Sequence, residues 1–167
     1  MESRPRITLT HSPLDRAVEW LCAILLGALW VLTIYVYFDM PQTIPTHFNA
    51  MGEPDAYGDK GTLFILAVLG TLIYAGMTAL NKIPHVFNYL TTITAENARE
   101  QYILSTRMLR FIKLMVLFIF NSIVLYAYFS STGEMKGAGS WFLPIIFSFL
   151  LLPLIYLVIH LARKNKK

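Results

Sequence analysis

Pro41-Gln-Thr-Ile-Pro45-Thr-His47-Phe-Asn49-Ala-Met-Gly52-Glu53-Pro54-Asp55-Ala-Tyr57-Gly58-Asp59-Lys60-Gly61 is the one polar, turn-rich stretch lying between two long apolar runs, and its reading decides the fold. Three prolines and three glycines argue against a continuous helix or a central strand, because proline lacks a backbone donor and glycine adds backbone entropy. The segment reads as an ordered loop. Glu53, Asp55 and Asp59 fall close to His47 and Asn49, and the prolines lower the entropy cost of holding such a group in one shape.

Outward from this loop the chain is apolar in blocks. Ala17 to Phe38 carries a single charge, Glu19, near its start, and at 1.5 Å per residue it reaches about 33 Å, enough for a hydrocarbon core of about 30 Å. The run is longer than the apolar region of a signal peptide and ends Tyr-Val-Tyr-Phe-Asp, with no small-x-small cleavage site, so it reads as a retained span. Before it, Ser12-Pro13-Leu14-Asp15 has the form of a helix start, with Ser12 as N-cap, Pro13 at the first helical position and Asp15 in the first turn. On the other side of the loop, residues 61–80 are free of charge, and Gly70, Thr71, Ala75, Gly76 and Ala79 suit close helix packing in a bilayer.

Asn81-Lys82-Ile83-Pro84 ends the second run. From Thr94 a third helix is expected to continue without a breaker through Ser131, roughly 37 residues or about 55 Å, so that it projects beyond the bilayer before its spanning part, 111–131. A short loop containing Gly133, Gly137 and Gly139 leads to a fourth run, 141–160, in which Pro144 and Pro153 are tolerated as bilayer kinks. The expected architecture is an all-α integral membrane protein, a single domain forming a four-helix transmembrane bundle. Its spans are about 17–38, 61–80, 111–131 and 141–160, with an outer loop at 39–60 and an inner loop at 81–110.

Composition agrees. Of 167 residues 56% are apolar and 14% charged, with a mean hydropathy of +0.54. The formal charge of +4 does not indicate nucleic acid, because the basic residues border apolar runs instead of gathering on one face. Arg4, Arg6, Arg16, Lys82, Arg99, Arg107, Arg110, Arg163, Lys164, Lys166 and Lys167 fall on one side of the spans; Lys60 and Lys136 fall on the other. By the positive-inside rule both termini are then cytoplasmic, the third helix extends into the cytoplasm and the Pro41 to Gly61 loop is extracytoplasmic. The one cysteine, Cys22, reads as a small buried hydrophobe.

Three groups of residues are candidates for function. In the outer loop His47, Asn49, Glu53, Asp55 and Asp59 are candidate ligand-binding residues. His47, Glu53, Asp55 and Asp59 are also the candidate metal ligands, the carboxylates suiting a divalent cation, although the offsets are not those of an EF-hand and only one histidine is present. The plainer reading is a loop held by hydrogen bonds among these groups. A hydrolytic alternative takes His47 as base, Asp55 or Glu53 as orienter and Thr46 or a metal-bound water as nucleophile; no catalytic motif elsewhere in the chain supports it, and no catalytic residue is assigned.

Along the inner segment His85, Asn88, Tyr89, Glu96 and Asn97 form a candidate surface for a cytoplasmic partner, or the solvated base of the bundle. Within the spans the polar residues are Glu19, Lys113, Asn121 and His160. Glu19, Lys113 and His160 fall at about the same depth and are suited to a proton relay or an anion, while snorkelling to the headgroups is the plainer account of Lys113 and His160. Asn121 is placed for an interhelical hydrogen bond.

Ile44-Pro45-Thr46-His47-Phe48-Asn49, followed by Gly52-Glu53-Pro54-Asp55-Ala56-Tyr57-Gly58 and Lys60, resembles the small bacterial membrane family catalogued as domain of unknown function 1648, over about residues 20–80. That domain also forms the N-terminal part of SdpI-like immunity and signalling proteins. The segments Pro84-His85-Val86-Phe87-Asn88-Tyr89 and Ile93-Thr94-x-Glu96-Asn97-Ala98 are similar to those of short stand-alone members. The resemblance implies a multi-pass protein of the bacterial inner membrane with an immunity-like role against a membrane-active toxin. The expected partners are the lipid bilayer, a peptide or small ligand outside, and a second copy of the chain. A metal-dependent membrane enzyme centred on His47 and a small dimeric transporter are the alternatives.

Overall fold

The computed structural model describes residues 4–49 and 51–133, together with Pro144, Ser148, Leu151 and Ile155, which are helical. Three long helices and a two-stranded sheet make up the described chain: α1 (Pro13–Asp39), β1 (Thr43–Phe48), β2 (Pro54–Asp59), α2 (Leu63–Leu80) and α3 (Ala98–Ser131). Short 3₁₀ turns at Lys60–Thr62 and Pro84–Val86 sit at either end of α2. The helical windows have mean hydropathies of 2.3, 2.2 and 2.0, so three helices are long and apolar enough to cross a membrane. The expected fourth span, the loop before it, His160 and the basic tail lie outside the described residues apart from the four helical positions.

Each helix has a local cause. Ser12 caps α1 with both halves of a capping box: its hydroxyl oxygen accepts from the Asp15 amide at 3.1 Å, and the Asp15 carboxylate accepts from the Ser12 amide at 2.8 Å. Helix α1 crosses α3 with Leu29, Val36 and Val124 fully buried between them and α2. A methyl at Gly70 of α2 would lie 2.9 Å from Leu29 Cδ2 and 3.4 Å from Phe120, so the missing side chain is what admits α2 to the bundle. Two polar clasps cross the apolar interior. Trp30 Nε1 donates to Thr71 Oγ1 at 3.0 Å, and Asn121 Nδ2 donates to the Leu25 carbonyl at 3.0 Å, the interhelical bond expected of Asn121. Outward residues such as Val31, Phe38 and Leu72 remain exposed, as lipid-facing positions do.

Two expectations are corrected. The segment after α1, expected as an ordered loop, is a β-hairpin, so the chain is not wholly α-helical; β1 and β2 pair antiparallel with Ile44 opposite Gly58 and Pro45 opposite Tyr57. Proline is tolerated there because both strands of a two-stranded sheet are edge strands, where a missing donor need break no ladder bond. The third helix begins at Ala98, not at Thr94. Asn97 Oδ1 accepts from the Thr94 amide at 2.9 Å and its Nδ2 donates to the Thr92 carbonyl at 2.9 Å, which closes a turn in place of the first helical turn.

Candidate functional site

The hairpin is fastened to the helices at several points. Ile44 of β1 is fully buried in the same cluster as Leu29, Val36, Leu63 and Val124. Phe48 packs on Tyr126 of α3 with ring centroids 4.4 Å apart, and the Tyr126 hydroxyl, itself buried, donates to the Gly52 carbonyl at the hairpin turn. Lys60 Nζ donates to the Met40 carbonyl at 3.0 Å and sits 4.8 Å from the centre of the Tyr37 ring. The Tyr128 hydroxyl donates to Asp39 at 2.6 Å.

The turn is organised by Asn49. Its side-chain oxygen accepts from the amides of Met51 (2.9 Å) and Glu53 (3.0 Å), and its backbone amide donates to the Glu53 carbonyl at 2.9 Å. Gly52 takes φ +77°, in the left-handed region that glycine enters freely.

The candidate ligand residues separate into pairs. His47 Nδ1 lies 2.5 Å from Asp55 Oδ1 across the two strands, and both side chains are solvent-accessible. Glu53 accepts from Asn49 Nδ2 at 3.2 Å. Asp59 is used in the backbone: Oδ1 accepts from the Gly61 amide at 2.7 Å, capping the turn that leads into α2, while Oδ2 accepts from Gln42. Among the described residues no three His, Cys, Asp or Glu side chains come together as a metal-ligand set. His47, Glu53, Asp55 and Asp59 are neighbours in sequence, but the hairpin distributes them between its turn, its middle and its base.

Beneath β1, between α2 and α3, is a cavity of about 480 Å³ with Ile65, Leu66, Ile119 and Ile123 on its apolar walls and His47 and Thr46 among its lining residues. Aliphatic walls with a few polar groups to one side are the usual make-up of a site for an amphipathic ligand.

At the opposite end of the bundle lies a second concentration of chemistry. Lys113 of α3 is fully buried; its Nζ donates to Glu19 Oε2 at 2.6 Å and to Thr78 Oγ1 at 2.9 Å, and lies 4.7 Å from the centre of the Tyr74 ring. It does not snorkel, because a carboxylate on α1 reaches it inside the bundle. Arg110 is buried beside it and donates to Glu19 at 3.1 Å; Arg107 donates to Asp15 at 2.9 Å. Asp15, Arg107 and Arg110 were not expected at this site. The spacing of Arg107, Arg110 and Lys113 on α3 is a signal that could have found the two arginines, since positions three apart are neighbours on a helix face.

The inner candidates turn out to be mostly loop-forming. Tyr89 donates to the Pro84 carbonyl at 2.8 Å, lies 3.0 Å from Ser105 Oγ and packs on Tyr102; burial raises its pKa above the ordinary tyrosine value. Glu96 accepts from the Thr94 hydroxyl at 2.7 Å, which holds its carboxyl below the usual range. Asn97 closes the turn described above, the His85 carbonyl accepts from Arg4 at 3.1 Å, and Asn88 borders an apolar groove of about 550 Å³ along Leu104, Met108 and Ile112.

Comparison with known proteins finds similarity over part of the chain. An uncharacterized protein of Archaeoglobus fulgidus is 31% identical over 93 residues, 49% of this chain and 51% of the relative, so the match spans about half of each. No solved structure matches the chain. The family model described as a domain of unknown function matches residues 24–71, which run from the middle of α1 through the hairpin into α2. Over these residues the chain is similar to the DUF1648 family.

Proposed function

We propose that the protein is a membrane-embedded recognition protein that holds an amphipathic ligand, a membrane-active peptide above all, at the hairpin end of the bundle. The observation that supports this most is the fastened hairpin standing over the 480 Å³ aliphatic cavity, with the accessible His47–Asp55 pair on the same strands. A ligand's apolar side enters between Ile65 and Ile123, beside His47 in the lining, and its cationic or donor groups reach the Asp55 carboxylate paired with His47 at the rim. The ordering entropy of the site is already met, because Tyr126, Lys60 and Asn49 hold the hairpin before any ligand arrives.

In this reading the basic residues retained by the described connections set the hairpin outside the cell and both termini in the cytoplasm, in a bacterial inner membrane, with residues 141–160 as a fourth span. A role in immunity towards a membrane-active toxin is what the resemblance of residues 24–71 to the family implies. Partners are then the bilayer, the external ligand, and a second copy of the chain.

Binding of a fluorescent amphipathic lysine–leucine peptide to the protein in nanodiscs tests the proposal by anisotropy. His47→Ala, Asp55→Asn and the cavity-filling Ile123→Trp are each expected to weaken binding about tenfold, about 1.4 kcal/mol. Equal binding to wild type, all three variants and empty nanodiscs would refute it. A metal reading is tested alongside by elemental analysis of the same samples, where a bound divalent ion lost on Asp55→Asn would favour the enzyme alternative.

A further inference from the structure

Residues 4–12, ahead of α1, lie across the charged end of the bundle without helix or strand structure and are held there at four points. Arg4 Nη1 donates to the carbonyls of His85 (3.1 Å) and Phe87 (2.6 Å), and the Tyr102 hydroxyl donates to the Pro5 carbonyl at 3.1 Å. Arg107 donates to Ser12 Oγ at 3.2 Å. The fourth contact places Arg110 Nη2 2.9 Å from Nδ1 of His11.

That last contact constrains a protonation state. A guanidinium has donors only and stays charged, so the bond requires a free lone pair on His11 Nδ1. His11 is therefore neutral in this arrangement, with its proton on Nε2. Arg110 is buried, whereas His11 is exposed and open to protons from solvent.

We propose that His11 is a proton-operated latch for the N-terminal segment. Neutral, it accepts from Arg110 and keeps residues 4–12 laid over the ends of α2 and α3. Protonated, it loses the lone pair and stands as a second cation against Arg110, so the segment lifts and uncovers the carbonyls of His85 and Phe87. The proton comes from water and returns there; no other bond changes.

The surrounding charges favour release. From α1, Asp15 and Glu19 face this region; from α3, Arg107, Arg110 and Lys113; and beyond the end of α2, Lys82 lines a small cavity of about 240 Å³ together with His11. Asp15 is already bound by Ser12 and Arg107, and Glu19 by Arg110 and Lys113. An imidazolium would therefore have to share these two carboxylates with the donors that already hold them. Histidine is the side chain whose charge ordinarily changes between pH 5 and 8, which sets the two conditions to compare.

Nitroxide labels at Thr8→Cys and Asn88→Cys, in a Cys22→Ala background in nanodiscs, report the latch as a distance distribution by pulsed electron spin resonance at pH 8 and pH 5. The protein with His11 intact is expected to give one narrow distribution at pH 8 and to lose more than half of that population to longer, broader distances at pH 5. His11→Gln keeps a side-chain carbonyl to accept from Arg110 and does not titrate, so it is expected to stay narrow at both. His11→Lys is expected to be broad at both. Distances that do not change with pH in the protein with His11, an opening of His11→Gln at pH 5 equal to it, or a narrow distribution for His11→Lys at pH 8 would each overturn the proposal. Because His11 is exposed, all three proteins should share one elution volume and one unfolding midpoint at pH 8, which separates latch release from misfolding.

Discussion

Replacing Glu19 with Gln should destabilise the bundle far more than a one-third-exposed carboxylate ordinarily warrants, because the cost falls on Lys113. The Lys113 side chain has no solvent exposure, and Glu19 Oε2 at 2.6 Å is its only carboxylate partner among the described residues. Removing one member of a buried ion pair costs about 3–5 kcal/mol, since the other charge stays behind uncompensated. Here Thr78 Oγ1 and the Tyr74 ring still face the ammonium, and the Glu19 side chain is 31% exposed, so about 2–3 kcal/mol is expected. Lys113→Met leaves Glu19 with Arg110 and should cost about 1 kcal/mol, while the double variant Glu19→Gln/Lys113→Met removes both charges of that pair, leaves Arg110 with Asp15 and His11, and should also cost about 1 kcal/mol. The coupling is then about 2–3 kcal/mol in magnitude. Unfolding in mixed micelles with rising dodecyl sulfate, followed by tryptophan fluorescence, measures all four proteins. A coupling below about 0.5 kcal/mol would mean that the two groups do not share a buried bond, and the account of the charged end would fail.

Tyr126→Phe should cost about 1 kcal/mol by removing the donor to the Gly52 carbonyl, and should raise hydrogen exchange at the Met51 and Glu53 amides several-fold while leaving α2 unchanged. Gly70→Leu should cost about 1–3 kcal/mol, because even its Cβ would meet Leu29 Cδ2 at 2.9 Å; a thermal unfolding midpoint in detergent equal to wild type would refute the packing described. Ser12→Ala removes the cap of α1 and an acceptor for Arg107, for a loss of about 1 kcal/mol in the same assay. The Tyr89 phenol, raised by burial, should ionise above the usual value near 10 when followed by ultraviolet absorbance. A group with a raised folded-state pKa gives stability that is whole below the unfolded value and lost as pH climbs through the folded one, so Tyr89→Phe should remove an alkaline destabilisation above about pH 10.

Much of the helical frame is legible in the chain because its causes are local. Ser12, Pro13 and Asp15 announce the start of α1, unbroken apolar runs announce the three helices, and Asn121 in such a run has little to do but bond a neighbouring helix. The hairpin was hidden by its prolines, which argue against a strand unless the sheet has only edges. Thr94 looked like a helix start, yet Asn97 competes for the same backbone groups three residues later. Lys113 could not be told from a snorkelling lysine because its partner lies 94 residues away, and the crossing of α1 and α3 that brings them together leaves no mark in either segment. The acidic group erred in the other direction: closeness along the chain became separation along a hairpin, whose cross-strand pairing sends Asp55 to His47 and leaves Asp59 at the base.

Helix α3 carries the hairpin's anchor and the charged cluster on one rod. Tyr126 and Arg110 are separated by about 24 Å of helix at 1.5 Å per residue. Since the anchor grips the turn itself, a load on the hairpin acts on α3 as on the long arm of a lever. A rocking of about 5° over that length would slide the far end by about 2 Å, more than the Lys113–Glu19 bond can follow at its present 2.6 Å.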